Sequence, residues 1–282
     1  MPMDATPRRA LPLAPGELRA WLFDLDGVVT QTGALHAEAW KRLFDPVLER
    51  MQGPGDHSPF RLPEDYTAHV DGRPRLEGIR TFLAARGLDL PEGGPEDPAG
   101  APTVQGLARR KDALFHEALS EQGVVVFPGS LRLMHALRGA GARLACVSAS
   151  RNARPVLERA GLTGMFDVIL GGEELAQQGL AGKPAPDSFL AAARALGTPP
   201  ERCVVIEDAL AGVEAGRAGG FGLVIGVDRG AGHAALREAG ADLVVDDLGG
   251  AAAGADAVTA GLAKPSLRQS AAAGHTGREQ RG

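Results

Sequence analysis

The strongest constraint on the fold is a regular alternation of apolar runs and helical segments from about residue 126 to residue 248. The apolar runs are short, continuous and rich in Val, Ile and Leu, and a segment with helical spacing separates each from the next. Strands that are apolar on both faces are typical of a parallel sheet covered by helices on both sides. We therefore predict a doubly wound, Rossmann-like α/β fold. The runs are "ARLACVSAS", "FDVILGG", "CVVIED", "GLVIGVD" and "DLVVDD".

A helical block is inserted near the start of this pattern. The first apolar run, "RAWLFDLDGVV", is followed by residues 34–121, which have helical spacing and no strand pattern. Pro46 is expected to break or kink the first helix of this block. We predict an all-helical cap domain between the first strand and the rest of the core. The predicted division is a flexible N-terminus (1–18), a core domain (19–33 and 122–250), a cap (34–121) and a disordered tail (251–282).

Composition and charge narrow the classes of partner. The 282 residues carry a net charge of −5 with acids and bases interspersed, whereas nucleic-acid-binding proteins usually present a basic face. No apolar run approaches the ~18 residues of a membrane span, and the first residues lack the apolar core of a signal peptide. The two cysteines, Cys146 and Cys203, lie in apolar runs, which indicates buried thiols. We expect a cytoplasmic monomer without a nucleic-acid or membrane partner.

Charged and polar side chains follow several of the predicted strands. Because ligands bind at the carboxyl ends of the strands in open parallel sheets, we expect these side chains to lie close together. Their carboxylates would repel one another unless a cation lay among them. The residues are Asp24 and Asp26 after the first strand, Ser148 after the second, Lys183 in a loop before a helix, and Glu207 and Asp208 after a fourth strand.

This set of residues predicts phosphoryl transfer with a magnesium ion. Carboxylate oxygens suit Mg²⁺, and a set without His or Cys is a poor fit for zinc. Lys183 would neutralise a second anion, and Ser148 with the N–H groups of the following helix could bind phosphate oxygens. One carboxylate could act as nucleophile, while another exchanges a proton with the attacking or leaving oxygen.

Four segments resemble, in order, the four motifs of the haloacid dehalogenase superfamily of phosphotransferases. The resemblance implies that Asp24 is the nucleophile and Asp26 the general acid and base. It also implies Mg²⁺ bound by the Asp24 side chain, the Asp26 carbonyl and Asp208, with Glu207 supporting the metal from behind. Ser148 and Lys183 would hold the transferring phosphoryl group. The segments are "DLDGVVTQT", "VSAS", "KPAPDSF" and "VIEDALAGVEAGRAGG".

Within this superfamily, the cap residues resemble those of the β-phosphoglucomutase branch. The segments that carry this similarity are "TGALHAEAWKRLF", "GRPR", "ARRKDALF" and "SASRN". The resemblance implies a small phosphorylated sugar as substrate, with cations at two points to hold both ends of a sugar bisphosphate. The implied substrate-binding residues are Thr32, His36, Trp40, Arg75, Lys111, Ser150, Arg151 and Asn152.

Two positions depart from the family pattern, and several alternatives stay open. Gln31 stands where an acid is common, and Arg151 stands where a lysine is common. The expected activity is a mutase that converts β-glucose 1-phosphate to glucose 6-phosphate. A phosphatase acting on a small phosphomonoester would use the same residues, and a non-catalytic metabolite-binding protein is the alternative from another class. Lys111 could instead belong to a solvated helix face, and Trp40 could be a core residue.

Overall fold

A six-stranded parallel sheet lies at the centre of residues 18–249, which are the residues that the computed structural model describes. The strands are β1 (Ala20–Phe23), β2 (Arg143–Val147), β3 (Val168–Leu170), β4 (Cys203–Glu207), β5 (Leu223–Val227) and β6 (Leu243–Val245). Their order is β3-β2-β1-β4-β5-β6, and every neighbouring pair is parallel. The first strand is therefore central, and the direction of winding reverses beside it.

Nine α-helices follow the first strand among the described residues, and several of them cover the sheet. They are α1 (Gly33–Arg50), α2 (Arg75–Ala85), α3 (Val104–Gln122), α4 (Pro128–Gly139), α5 (Ala153–Arg159), α6 (Gly172–Gln177), α7 (Asp187–Ala195), α8 (Leu210–Ala218) and α9 (His233–Ala239). Side chains of β1 alternate between the two faces of the sheet, with Trp21 and Phe23 in one apolar cluster and Leu22 in the other. Helices α4 and α5 pack on the first face, and α6 to α9 pack on the second. The predicted doubly wound fold is confirmed.

The segment between β1 and β2 begins with α1, α2 and α3, together with a π-helix at Tyr66–Val70. Aromatic side chains hold this block together, with the ring of Phe44 centred 4.1 Å from that of Phe82 and 5.4 Å from that of Phe60. The predicted all-helical insertion after the first strand is therefore confirmed.

The expected break at Pro46 is wrong, because α1 continues through this residue to Arg50. A proline inside a helix costs about 3 kcal/mol. The flanking side chains Phe44 and Leu48 are both buried, and burial stabilises each by about 1.5–3 kcal/mol. Packing on both sides of the proline therefore outweighs the lost backbone hydrogen bond.

Several predictions concern residues near the ends of the chain. The predicted flexible N-terminus (1–18) and disordered tail (251–282) lie outside the described residues, except for Leu18, which is buried. Both cysteines are free and buried, as predicted. Among the described helices, none is both long and apolar enough to cross a membrane.

Candidate active site

The carboxyl end of β1 places Asp24 in a buried position at the centre of the sheet edge. Its N–H donates to the Ile206 carbonyl (3.0 Å), which extends the ladder between β1 and β4 by one residue. The side chain is only 6% exposed. Burial raises the pKa of Asp24 well above its ordinary value, and the nearby Lys183 ammonium opposes this shift without cancelling it. The carboxyl group therefore lies where a positive charge would strongly favour its ionised form.

Lys183 joins two of the predicted carboxylates. Its ammonium donates to Asp24 Oδ1 (2.5 Å) and also to Glu207 Oε1, and it lies over the Phe189 ring. Burial alone would lower the pKa of this lysine, but the two carboxylates raise it above its ordinary value. Lys183 is therefore a fixed cation beside Asp24, and the expectation that it neutralises a second anion there stays a prediction.

Glu207 uses both carboxylate oxygens within the protein. Oε2 accepts hydrogen bonds from the N–H groups of Asp208 and Ala209 (both 3.0 Å), while Oε1 accepts from Lys183. The side chain is fully buried, and a Cβ at Gly212 would come within 1.9 Å of Oε1. These contacts fit a residue that supports the site from behind.

The donor set fits a magnesium ion. One ligand atom from each of Asp24, Glu207 and Asp208 lies within 4.8 Å of the others. Burial and the neighbouring carboxylates, first that of Asp71, raise the pKa of Asp208 well above its ordinary value. A hard divalent cation bound by carboxylates would relieve this repulsion. Asp24 and Asp208 are the side chains free to face it, since Glu207 is already committed to other partners.

Asp26 has a different environment from Asp24. Its Oδ1 accepts a hydrogen bond from Thr32 and lies 3.4 Å from His36 Nε2, and its Oδ2 accepts from Ser148 Oγ (3.4 Å). Burial alone would raise the pKa of Asp26, but His36 and Thr32 outweigh it and lower the pKa to about 2. The pKa of Asp24 is therefore raised while that of the neighbouring Asp26 is lowered. Such a separation of two carboxyl pKa values is common where one residue acts as acid and base and the other as nucleophile.

His36 connects Asp26 to Lys111. The His36 ring stacks on Phe115 at 4.0 Å, its Nε2 faces Asp26, and its Nδ1 meets the Lys111 ammonium. That ammonium lies 5.0 Å from the centre of the Trp40 ring. Burial and the nearby Arg75 guanidinium lower the pKa of Lys111 to about 7. With 4% exposure, Lys111 does not belong to a solvated helix face.

The loop after β2 forms a ladder of short hydrogen bonds. Ser148 Oγ accepts from the Ser150 N–H, and Ser150 Oγ accepts from the Asn152 N–H (both 3.1 Å). Asn152 Nδ2 in turn donates to Asp112 Oδ1 (3.0 Å) on α3. Arg151 is exposed at the same turn. The loop therefore links the sheet edge to the helical block.

Arg75 belongs to the helical block and contacts α3. It is the first residue of α2, and its Nη1 donates to the Ala108 carbonyl (2.9 Å), while Nη2 lies 2.7 Å from Asp112 Oδ1. The Asp112 carboxylate therefore contacts two of the predicted binding residues, Arg75 and Asn152.

A cavity of about 530 Å³ has walls from the sheet edge and from the helical block. Three predicted residues, Thr32, Lys183 and Glu207, are buried behind its wall and contact residues that line it. Trp40 is a core residue that also lines the cavity, and its role in substrate binding stays a prediction. The predicted residues in the wall are Asp24, Asp26, His36, Trp40, Arg75, Lys111, Ser148, Ser150, Arg151, Asn152 and Asp208.

Sequence reasoning missed several residues of the cavity wall, among them Tyr66 and Asp71. Tyr66 begins the π-helix, and the Asp71 N–H donates to its carbonyl (3.0 Å). Burial raises the pKa of Asp71 to about 7. Asp71 directly precedes the "GRPR" segment, so its position next to that motif was the available sequence signal. Asp112 also went unnoticed, although it directly follows Lys111.

Comparison with known proteins yields one family. The sequence model of the haloacid dehalogenase-like hydrolases matches residues 18–220. The chain is 48% identical over 240 residues to β-phosphoglucomutase of Mycobacterium bovis, covering 83% of this chain and 91% of that protein. It is 33% identical over 229 residues to β-phosphoglucomutase of Bacillus subtilis, covering 81% of this chain and 89% of that protein.

A solved structure shares the same architecture. CbbY from Rhodobacter sphaeroides, crystallised with xylulose-(1,5)bisphosphate, superposes with a TM-score of 0.61 at 28% identity. The match covers 82% of this chain and 95% of that one.

Proposed function

Because the chain belongs to the haloacid dehalogenase-like hydrolase family, we propose that it is a magnesium-dependent mutase converting β-glucose 1-phosphate to glucose 6-phosphate. The observation that carries this proposal is one cavity with cations at two separate points, Lys183 behind its wall and Arg75 in its wall. Lys183 lies beside Asp24 at the sheet edge, and Arg75 lies on the helical block, anchored by Asp112. Two such points suit a sugar bisphosphate, which must be held by both phosphates in either orientation. The identity to β-phosphoglucomutase of Mycobacterium bovis supports the same substrate class.

Asp24 is the proposed nucleophile. Its carboxylate oxygen attacks phosphorus, the bond from phosphorus to the sugar oxygen breaks, and an aspartyl phosphate results. Lys183, already within 2.5 Å of Asp24, neutralises part of the charge on the phosphoryl oxygens. Ser148, whose hydroxyl lies at the same edge, would donate to another of those oxygens.

Asp24, Asp208 and the Asp26 carbonyl would hold Mg²⁺, which when bound supplies positive charge facing the transferring phosphoryl group.

Asp26 is the proposed acid and base. In the forward half-reaction it takes the proton from the sugar 6-hydroxyl as that oxygen attacks the phosphorus of phospho-Asp24. The low pKa that His36 and Thr32 impose keeps Asp26 ionised and ready to accept this proton. After the bisphosphate reorients, Asp24 takes the phosphoryl group from C1, and Asp26 returns the proton to the C1 oxygen.

A phosphatase is the second candidate, and the family description as hydrolases favours it. The same residues would form the aspartyl phosphate, and water instead of a sugar hydroxyl would then attack it. Asp26 would remove the proton from that water. The two candidates therefore differ only in the acceptor of the phosphoryl group, a sugar hydroxyl or water. The part of the cavity formed by the helical block would select between them.

Arg75 separates the two candidates experimentally. We expect Arg75→Ala to lower mutase kcat/KM by at least a hundredfold, since a charge-assisted contact to the distal phosphate is lost. Hydrolysis of a small aryl phosphate, which has no distal phosphate, should change by less than threefold. Arg42→Ala is the matched control, because Arg42 also belongs to the helical block but does not line the cavity among the described residues, and it pairs with the exposed Glu117. Equal losses in both reactions for Arg75→Ala would contradict the mutase.

A cytoplasmic location, a monomeric state and the absence of nucleic-acid or membrane partners belong to the same proposal. The net charge of −5 supports the last of these. Gel filtration coupled to light scattering tests the monomeric state.

A further inference from the structure

Arg229 follows β5 by two residues and contacts three separate segments of the chain. Its Nε donates to the Gly27 carbonyl (2.8 Å) and its Nη1 donates to the Asp246 carbonyl (2.9 Å). The guanidinium also lies over the Phe127 ring, 3.8 Å from its centre. Arg229 does not line the cavity among the described residues, so it cannot contact a substrate there. We propose that Arg229 is a positioning residue that holds the loop after β1 in its metal-binding conformation.

The contact to Gly27 acts on the most constrained residue of that loop. Gly27 has a φ of +93°, and its N–H donates to the Thr30 carbonyl (2.8 Å). Arg229 binds the other side of this residue, at its carbonyl. Because both backbone groups of Gly27 are hydrogen-bonded, the peptide that joins it to Asp26 has a defined orientation. The Asp26 carbonyl belongs to that peptide, and it is one of the groups proposed to bind Mg²⁺.

Gly27 in turn sets the position of Asp208. A Cβ at residue 27 would come within 1.8 Å of Asp208 Oδ2, so the bare Cα of Gly27 packs directly against this carboxylate. A movement of the loop would therefore change the space available to Asp208. Arg229 thus acts, through Gly27 alone, on two of the three groups proposed to bind the metal.

The contact to Phe127 extends this effect to both connections between the sheet and the helical block. The outgoing connection contains Val29, and the returning one contains Phe127, whose N–H donates to the Val29 carbonyl (3.0 Å). The two connections also pair through a bridge between Thr30 and Val126. Arg229 therefore fixes both connections at the end nearest the sheet.

The third guanidinium nitrogen, Nη2, indicates that this position requires an arginine and not only a side chain that fills the space. Arg229 Nη2 is buried and has no hydrogen-bond partner among the described residues. An unpaired buried donor is unfavourable, and an apolar side chain would avoid it. An arginine is nevertheless needed if Gly27 and Asp246 are to be bound by one rigid group, because lysine has no planar fork of donors.

The test rests on the proposed metal-dependent function and compares variants that change the donors of one arginine. Arg229→Met keeps an apolar stem but loses every donor, and Arg229→Lys keeps the charge but cannot bridge Gly27 and Asp246. Arg143→Met is the matched control, because Arg143 also donates to one backbone carbonyl, that of Leu196, at the start of β2. For each variant, calorimetric titration with MgCl₂ gives the metal affinity and circular dichroism gives the melting temperature.

We expect Arg229→Met to weaken Mg²⁺ binding by tenfold or more, Arg229→Lys to weaken it less, and Arg143→Met to leave it unchanged. Amide hydrogen exchange in residues 24–31 should accelerate in Arg229→Met and not in Arg143→Met. If Arg229→Met does not fold, the Arg229→Lys comparison decides the question. Wild-type metal affinity and unchanged exchange in the Arg229 variants, with only a lower melting temperature, would overturn the inference.

The same measurements distinguish a failure of the proposed function from a failure of this inference. If the wild-type protein binds no Mg²⁺, the metal-dependent function is wrong. Exchange in residues 24–31 then still decides whether Arg229 positions the loop.

Discussion

At the scale of single residues, the effect of removing Lys183 on the free energy of unfolding can be estimated from its contacts. It is 2% exposed and lies between Asp24 and Glu207, so Lys183→Met leaves two buried carboxylates without their cation. Removing one partner of a buried ion pair destabilises a protein by about 3–5 kcal/mol. We expect a loss of this size in urea unfolding at pH 7.5, together with loss of activity.

The loss should shrink as the pH falls toward 5, since protonation removes the uncompensated charges. Lys41→Met is the control, because Lys41 pairs with Asp45 at the surface and exposed pairs contribute less than about 1 kcal/mol. A pH-independent loss in Lys183→Met would contradict the account.

Lys111 gives a pH dependence of known sign. Its pKa is about 7 in the folded state against an ordinary value of 10.5, so the unfolded chain binds one more proton between these values. Stability should therefore rise with pH from 7 to 10.5, by up to about 1.4 kcal/mol per pH unit from this group. Lys111→Met removes that contribution. We therefore expect the unfolding free energy of the wild type to rise relative to that of Lys111→Met as the pH increases from 7 to 10. Urea unfolding at several pH values measures this difference.

Substitution of Gly27 tests the steric fit at the proposed metal site. Any side chain at this position meets Asp208 at 1.8 Å and must also adopt a φ of +93°, so we expect Gly27→Ala to lose Mg²⁺ binding and activity. Gly33→Ala is the control, since a Cβ at Gly33 has no atom within 4 Å. Calorimetric titration with MgCl₂ measures both variants, and normal binding by Gly27→Ala would show that the loop is free to move.

At the scale of elements, a buried arginine anchors the segment that carries Tyr66 and Asp71. Arg86 is 3% exposed at its side chain and donates to Asp65 Oδ2 (2.6 Å), the residue that precedes the π-helix, and to the Ser58 carbonyl (3.0 Å). Arg86→Met should therefore destabilise the protein by about 3 kcal/mol and expose residues 51–71 to proteases. Arg80→Met, which breaks only the exposed pair with Glu92, should cost less than about 1 kcal/mol. Urea unfolding and limited proteolysis measure both effects.

The strands and the residues that follow them could be predicted because their signals are local. A continuous apolar run such as "CVVIED" indicates a buried parallel strand, and the carboxylates at its end must then lie at the sheet edge. The π-helix at Tyr66–Val70 has no comparable sequence pattern, and Pro46 argued for a break that packing prevents. Asp112 and Arg229 act through partners 40 and 202 residues away in sequence, which only the folded chain brings together.

At the scale of the whole molecule, the sheet edge and the helical block each supply part of the cavity wall. The sheet edge holds Asp24 and Lys183, while the block holds Arg75 and Lys111, and the cavity lies between them. The predicted family membership and the predicted enzyme class are confirmed by the match over residues 18–220 and by the β-phosphoglucomutases among the relatives. The acceptor of the phosphoryl group stays a proposal.

Phosphorus-31 NMR of the products tests that proposal most directly. Purified protein with Mg²⁺, a trace of glucose 1,6-bisphosphate and β-glucose 1-phosphate should convert the substrate to glucose 6-phosphate, with almost no inorganic phosphate. Asp24→Asn should give neither product. Release of inorganic phosphate in place of glucose 6-phosphate would contradict the mutase and identify water as the acceptor.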